Sequence, residues 1–259
     1  MDENSAQKNS SAYRLAALDS DFLLGDSMRG ERLHIEYQKA EERLRASGVR
    51  STIVVFGSAR AKPQSGGRSA RRYEEARRFG RIASERGGAL TPRDGLRDNV
   101  IATGGGPGIM EAANRGAADA GALSIGFNIG LPREQQPNPY TTPELTFQFH
   151  YFAVRKFHLA MRANALVVFP GGFGTLDELF ELLTLIQTAK TPAIPVILVE
   201  NAYWTKIINF PALVEEAMID AADLDLFSYA EDAEDAWREL VRRGLNTGPR
   251  PPGYPSITA

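Results

Sequence analysis

Short apolar runs alternate with amphipathic stretches along most of this chain. The apolar runs fall at about 53–56, 99–102, 124–129, 145–149, 165–169 and 194–199, and continuous runs of this kind are typical of strands buried on both faces. Helical periodicity falls between and after them, at about 71–86, 109–120, 152–163, 202–218 and 231–243. The alternation predicts a single-domain α/β fold: a Rossmann-like, doubly wound parallel sheet with helices on both faces.

The ends of the chain differ from this alternating region. Glu31–Ala46 is dense in charge, with Leu33, Tyr37, Ala40 and Leu44 at helical spacing, which predicts a helix on the surface of the main domain. Residues from 246 onward are rich in proline and glycine. We therefore expect an N-terminal extension with one surface helix over 1–50, a nucleotide-binding domain over 51–245 and an irregular tail over 246–259.

Composition narrows the possible functions. The chain has 259 residues, no cysteine, three histidines and a net charge of −2, so disulfides and thiolate metal sites are excluded and no global basic field recruits nucleic acid. A polar start and the lack of any apolar stretch of about 20 residues argue against a secretory signal and a membrane span. We expect a soluble, cytoplasmic protein with no metal and with neither nucleic-acid nor membrane partners.

Three glycine-bearing turns follow predicted strands, at 57–58, 104–108 and 171–174. In parallel sheets, ligands bind beyond the carboxyl ends of the strands, where these turns meet. The second turn fails the dinucleotide fingerprint because Ile109 stands where a glycine is required. The sequence also lacks a Gly-Lys-Ser/Thr P-loop and a Gly-x-Ser-x-Gly nucleophile elbow.

The run Pro170–Glu178 is the strongest local signal in the chain. It places a glycine turn between an apolar strand and a helix, an order that produces an anion site at the helix N-terminus. Glu178 would then lie close to the bound anion. An alternative interpretation is structural only: Thr175-x-x-Glu178 matches a capping box, in which Thr175 caps the helix.

A second set of charged residues lies on the helix predicted just before this run. Arg155, His158 and Arg162 share one helical face, while Phe152, Ala153, Phe157 and Ala160 can face the core. From the residues alone, a solvated basic face is the favoured interpretation, and His158 and Arg162 receive no role.

Two motifs taken together resemble the Lonely-guy family of nucleoside 5′-monophosphate phosphoribohydrolases. They are Thr103–Glu111 and Pro170–Glu178, supported by Phe56–Arg60 and by the pair Arg155-Lys156, and the resemblance covers roughly Thr52 to Asp220. It implies hydrolysis of the bond between base and ribose 5-phosphate, without a cofactor. It also implies a homodimer or larger homo-oligomer, to which helix 152–163 contributes. Whether the base is adenine, as in AMP, or an N6-prenylated adenine, as in cytokinin synthesis, stays open.

The same resemblance implies roles for individual residues. Arg155 and Glu178 correspond to the catalytic pair. The phosphate-binding positions are Gly171, Gly172, Gly174 and Thr175. Further substrate-binding candidates are Ser58, Gly104, Gly105, Gly106, Glu111 and Lys156. Ser58 can instead cap a helix and Glu111 can be an ordinary first-turn acid. Many relatives have glutamate where this chain has Asp177, and that residue receives no role.

Two other functions compete with the hydrolase. A non-catalytic nucleotide or cofactor carrier on the same fold would need the glycine turns but not both Arg155 and Glu178. Lysine decarboxylation, a label often attached to such sequences, would need a lysine Schiff base to pyridoxal phosphate. Lys156 is the only lysine in the motif region, and nothing in the sequence marks a partner for the pyridine ring.

Overall fold

The computed structural model describes residues 3–130 and 136–247. Its centre is a seven-stranded, all-parallel sheet in the order β4-β3-β2-β1-β5-β6-β7, which confirms the predicted fold class. The strands are β1 (Thr52–Phe56), β2 (Val100–Thr103), β3 (Ser124–Ile129), β4 (Thr146–Phe149), β5 (Ala163–Val168), β6 (Val196–Val199) and β7 (Ser228–Ala230). Strand β7 was not predicted, because three residues reading Ser-Tyr-Ala carry no apolar run. Residues 131–135, in the loop after β3, and the part of the predicted tail from 248 onward lie outside the described residues.

Helices connect the strands and cover the sheet. They are α1 (Ser5–Lys8), α2 (Ser20–Leu24), α3 (Arg29–Ala46), α4 (Gly67–Arg86), α5 (Ile109–Asp119), α6 (Phe152–Met161), α7 (Phe173–Gln187), α8 (Asn201–Ile207), α9 (Phe210–Glu215) and α10 (Ala233–Arg242). The single helix predicted over 202–218 is wrong, since α8 ends at Ile207. The next helix starts with Pro211 in its first turn, and the Asn209 side chain caps it. Proline supplies no N–H and collides with the preceding turn, so it cannot continue a helix.

The sheet separates two apolar layers. Along β1, Ile53 and Val55 pack on one face with α4, α5 and α10, while Val54 and Phe56 pack on the other with α3 and α6 to α9. Successive side chains of a strand point to opposite faces, so a strand buried on both sides must be apolar throughout. This explains why β1 has no polar alternation.

The N-terminal region does more than lie on the surface. Its main helix, α3, buries Ala40, Glu41 and Leu44 against the sheet layer that contains α6. Short 3-10 turns precede it at Ser11–Tyr13, Ala16–Leu18 and Asp26–Met28. Helix α3 is therefore part of the packed layer next to α6.

The strand order reverses direction between β1 and β5. Connections from β1 run toward β2, β3 and β4, whereas those from β5 run toward β6 and β7. The loops that follow β1 and β5 consequently diverge and leave a crevice at the carboxyl edge of the sheet. Gly57 and Ser58 follow β1, and the Pro170–Gly172 turn follows β5, so both sequence motifs border this crevice.

A close helix contact supports one face of the sheet and gives a stability prediction. A Cβ added at Gly116 of α5 would lie 1.9 Å from the backbone oxygen of Arg77 in α4. We expect Gly116→Ala to destabilise the protein by about 1–3 kcal/mol in urea unfolding, because two helix backbones must separate. The matched control is Gly30→Ala in α3, where nothing lies within 4 Å and helix propensity predicts a gain of about 1 kcal/mol. Equal stability of Gly116→Ala and wild type would contradict the close approach.

Candidate active site

Helix α6 buries the face that the sequence suggested was solvated. Arg155, His158 and Arg162 are 8%, 1% and 3% exposed, whereas Phe152 and Phe157 are 50% and 56% exposed. The predicted orientation of this helix is therefore wrong. The reason is that each polar group on the buried face has a partner from elsewhere in the chain, namely Glu178, Tyr37 and Glu41. The spacing of residues within a helix cannot reveal hydrogen-bond partners that lie more than 20 residues away in the sequence.

The central contact is an ion pair between α6 and α7. An Arg155 guanidinium nitrogen donates to Glu178 Oε1 at 2.6 Å, and the two side chains are 10% and 5% exposed. The guanidinium also lies 5.1 Å from the centre of the Phe152 ring. Its Nε is buried and has no hydrogen-bond partner among the described residues. A buried donor without an acceptor is costly, so this atom has an unmet need for a hydrogen-bond acceptor.

Glu178 titrates far from the usual range of a carboxyl group. Burial raises its pKa to about 7, and the opposing charges of Arg155 and Lys156 do not offset that effect. A cavity lined mainly by apolar side chains, among them Leu159, Leu166 and Leu182, borders the Glu178 side chain. A carboxyl group that ionises near neutrality can both accept and return a proton, which general acid–base catalysis requires.

The start of α7 excludes the capping-box interpretation of the motif. The helix begins at Phe173, with Gly172 at the N-cap and no capping side chain. Thr175 is thus the third helical residue, and Glu178 bonds Arg155 rather than reaching back to a cap. The helix starts three residues earlier than the capping interpretation required, because the glycine turn itself supplies the non-helical cap.

Three backbone N–H groups at this start are left for a ligand. Those of Gly172, Phe173 and Gly174 have no acceptor within the described ranges. A Cβ at Gly172 or Gly174 would meet nothing within 4 Å, whereas one at Gly171 would lie 2.1 Å from Thr175 Oγ1. Packing within the protein therefore requires glycine only at 171. Open space above free N–H groups at the N-terminus of a long helix fits a bound anion.

Two residues that the sequence did not indicate support the turn. Tyr203 of α8 donates its hydroxyl hydrogen to the Gly171 carbonyl at 2.6 Å. The Arg72 guanidinium lies 5.3 Å from the centre of the Tyr203 ring and forms two hydrogen bonds with Glu200. The acceptor on Gly171 is a main-chain atom 32 residues away, so no side-chain pattern in the sequence could have identified Tyr203.

These elements surround one cleft of about 730 Å³ at the strand-order reversal, a size that suits a nucleotide-sized ligand. Its wall includes Ser58, Arg60, Arg72, Met110, Arg155, Gly171, Gly172, Phe173, Gly174, Thr175 and Tyr203. Six of the predicted site residues are thus brought together: Ser58, Arg155, Gly171, Gly172, Gly174 and Thr175. Glu178 lies directly behind Arg155 rather than on the wall itself.

The remaining candidates around the second glycine turn have other partners. A Cβ at Gly104 would lie 3.7 Å from an Arg155 guanidinium nitrogen, so only this glycine borders the pair. Gly105 N–H donates to Thr103 Oγ1, and the Gly106 carbonyl accepts from Asn138. Their contact with substrate stays a prediction.

Glu111 and Ser58 also show specific local contacts. Glu111 accepts a hydrogen bond from the Tyr73 hydroxyl at 2.7 Å and is not part of the cleft wall, so its contact with a sugar hydroxyl stays a prediction. Ser58 Oγ accepts from Arg60 N–H, which stabilises the turn after β1. No helix follows that turn directly, so the suggested helix cap is wrong.

Lys156 lies away from the cleft wall. Its ammonium group is 2.8 Å from Asp177 and 3.1 Å from Glu181, on the outer side of α7. Burial lowers the pKa of Lys156, but hydrogen bonds with the two carboxylates outweigh burial and raise it above its ordinary value. A Schiff-base lysine needs a lowered pKa, so these contacts argue against decarboxylase chemistry at Lys156. They also give Asp177 a structural contact.

Exposed aromatic side chains occur on α6 and at the start of α7. Phe152 and Phe157 of α6 and Phe173 of α7 are 50%, 56% and 92% exposed, and the predicted homo-oligomer contact of helix 152–163 would involve the first two. Over residues 3–130 and 136–247, no group of three metal-ligating side chains is placed to hold a metal. No helix in the same ranges is long and apolar enough to cross a membrane.

Comparisons with known proteins show which family and which proteins this chain is similar to. Residues 110–240 match the protein-family model described as possible lysine decarboxylase. The chain is 27% identical, over 74% of its length and 77% of the relative, to a probable cytokinin riboside 5′-monophosphate phosphoribohydrolase of Oryza sativa subsp. japonica. It is 32% identical to a pyrimidine/purine nucleotide 5′-monophosphate nucleosidase of Escherichia coli, over 44% of this chain and 28% of that protein. A structural genomics target, TM1055, shares the fold, with a TM-score of 0.52, 20% identity and coverage of 74% of this chain and 99% of the target.

The Tyr203 contact gives a binding prediction. Tyr203→Phe removes the 2.6 Å bond to the Gly171 carbonyl and loosens the turn that presents the free N–H groups. We expect about two- to tenfold weaker binding of ribose 5-phosphate by calorimetry, the range for one lost hydrogen bond. Tyr229→Phe is the control, because the Tyr229 hydroxyl makes no hydrogen bond with the described residues and lies outside the cleft. Unchanged affinity in Tyr203→Phe would contradict a supporting role.

Proposed function

The chain belongs to the Lonely-guy family, the group whose family model is described as possible lysine decarboxylase, and we propose that it hydrolyses nucleoside 5′-monophosphates. The products would be a free base and ribose 5-phosphate. The observation that carries this proposal is the buried Arg155–Glu178 pair next to a cleft with three free N–H groups. The named activities of the plant and bacterial relatives also support it.

The proposed substrate position follows from charge. The 5′-phosphate would accept hydrogen bonds from the N–H groups of Gly172, Phe173 and Gly174, where the helix dipole favours an anion. Arg60 on the same wall adds positive charge around it, whereas Arg72, also on that wall, is already paired with Glu200. The ribose would then lie over Thr175 and Arg155, toward Glu178 one turn further along α7.

The proposed reaction needs both members of the pair. Cleavage of an N-glycosidic bond develops positive charge on the sugar and negative charge on the leaving base. Glu178, of which only one oxygen is engaged by Arg155, would stabilise the sugar cation and take a proton from the attacking water. Arg155, with its unpaired Nε, would stabilise the negative charge that develops on the leaving base, and the base would then take up the proton that Glu178 accepted from water.

The base specificity belongs to the same proposal. Both AMP and N6-prenylated AMP satisfy the phosphate and ribose contacts, and the relatives at 26–32% identity act on cytokinin riboside monophosphates or on general nucleotides. Relative kcat/KM values on a panel of purine and pyrimidine monophosphates with and without an N6-prenyl group would assign the base.

A non-catalytic nucleotide carrier is the alternative function. The hydrolase needs a carboxyl group at position 178, whereas the carrier does not. A carrier needs the free N–H groups but gains nothing from a buried carboxyl group whose pKa is about 7. Burial of such a group costs free energy that binding alone does not recover. The Glu178 environment therefore favours the hydrolase.

Substitution of Glu178 tests the catalytic assignment. We expect Glu178→Gln to lower kcat on AMP or its prenylated analogue by at least about a hundredfold, within the range of general acid–base catalysis, while ribose 5-phosphate binding stays close to wild type. Release of the base is followed by chromatography. Glu181→Gln on the same helix is the matched control and should keep activity. Equal turnover in Glu178→Gln and wild type would remove the assignment, and no turnover by wild type on the full panel would favour the carrier.

The pKa of Glu178 predicts a pH dependence. Glu178 is protonated below about 7 and ionised above it, so kcat/KM should rise with pH and level off above neutrality if the carboxylate is the active form. The second phosphate ionisation, near pH 6, can produce a similar limb. Lys156→Gln separates the two: it removes a positive charge that lowers the pKa of Glu178 and should shift only the Glu178 limb to higher pH. An unshifted limb would contradict the assignment.

A further inference from the structure

One stripe of α6 contacts α3 at several points. Tyr151, Arg155, His158 and Arg162 follow one another at helical spacing, and three of the four bond to residues of α3. The fourth, Arg155, bonds Glu178. The partners on α3 are Arg32, Tyr37 and Glu41. Glu36 of α3 makes a further contact, at the start of α6. The helix that carries Arg155 is therefore held by the N-terminal extension along the same face.

Glu36 supplies the cap that α6 lacks. The N-cap residue, Tyr151, has no capping side-chain hydrogen bond. Instead, Glu36 Oε1 accepts from His150 N–H at 2.6 Å and Glu36 Oε2 accepts from Tyr151 N–H at 3.2 Å. A carboxylate at a helix N-terminus satisfies unpaired donors and interacts favourably with the helix dipole. The residues involved are more than 110 positions apart.

The other end of the stripe is fixed by two further contacts. His158 Nε2 donates to the Tyr37 carbonyl at 3.2 Å, and burial lowers the His158 pKa to about 4, so the ring is neutral near pH 7. Arg162 and Glu41 form a buried ion pair with both contacts at 2.8 Å. At the N-terminal end of α6, Arg32 Nε also donates to the Tyr151 hydroxyl. Rotation or sliding of α6 would break all of these together.

We propose that α3 positions the arginine of the catalytic pair, with Glu36 as the positioning residue that sets where α6 begins. The effect on catalysis rests on the proposed function. The positioning of Arg155 by α3 does not depend on it.

The geometry links the cap directly to Arg155. Arg155 lies one helical turn after Tyr151, and its N–H donates to the Tyr151 carbonyl at 3.2 Å. Movement of the capped end is therefore transmitted to the Arg155 backbone. A shift of about 1 Å would stretch the 2.6 Å contact with Glu178 beyond the range of a normal charge-assisted hydrogen bond.

Kinetics of Glu36 variants test the catalytic consequence. We expect Glu36→Ala to lower kcat on the order of tenfold with little change in KM, because misplacement of a catalytic group affects turnover more than binding. Glu36→Gln keeps an oxygen acceptor and should recover part of the loss. Glu42→Ala, at an exposed position of the same helix, should match wild type. In an Arg155→Ala background, Glu36→Ala should cost no further activity, and an equal loss there would overturn the proposal.

A second measurement does not depend on turnover. Glu178 faces Arg155, Lys156, Glu181 and Asp177, and among these Arg155 most strongly lowers its pKa. If Glu36→Ala displaces Arg155, the Glu178 carboxyl should titrate at higher pH than in wild type. The titration is followed by ¹³C NMR of protein labelled at glutamate Cδ and assigned with Glu178→Gln. An unchanged Glu178 titration in Glu36→Ala overturns the positioning, whether or not the wild type proves to be a hydrolase.

Discussion

The site depends on one buried ion pair, Arg155–Glu178, which joins helix α6 to helix α7 below the open cleft. Removing two charges from water costs free energy unless other interactions replace their hydration. The surrounding residues replace it only in part. Glu178 keeps a pKa of about 7 despite its partner, and Arg155 keeps an unpaired Nε. Arg155 and Glu178 can therefore each form a further interaction with a ligand. A ligand that brings an acceptor for the arginine and a developing positive charge for the glutamate satisfies both.

The fold explains why this pair lies beside a phosphate-sized opening. The sheet reverses its strand order between β1 and β5, which separates the loops after these strands. Helix α7 starts in the resulting crevice with its N–H groups free, and its sixth residue is Glu178. One helix thus presents free N–H groups at its first turn and a carboxyl group in its second. Tyr203 fixes the turn from α8, and α3 fixes the neighbouring α6 from the opposite direction.

The sequence alone predicted the parts of this arrangement that depend on local pattern. Apolar runs buried on both faces identified six of the seven strands, and the glycine turn before Leu176 marked the helix start whose N–H groups are free. The predictions were wrong where a partner far away in the sequence determines whether a side chain is buried. Arg155 and Arg162 looked solvated because their carboxylate partners, Glu178 and Glu41, lie 23 and 121 positions away. Thr175 looked like a helix cap because no residue pattern shows that α7 already starts after Gly172, which is its N-cap. Tyr203 bonds a main-chain oxygen, for which sequence carries no signal.

The most direct test is a crystal structure of the Glu178→Gln variant with a nucleoside 5′-monophosphate bound. We predict that the phosphate binds the N–H groups of Gly172, Phe173 and Gly174 and that the Arg155 Nε bonds the ligand. The side chain at 178 should face the anomeric carbon at about 3–3.5 Å, the separation of a reactive arrangement. A phosphate bound elsewhere in the cleft, or an anomeric carbon remote from position 178, would contradict it.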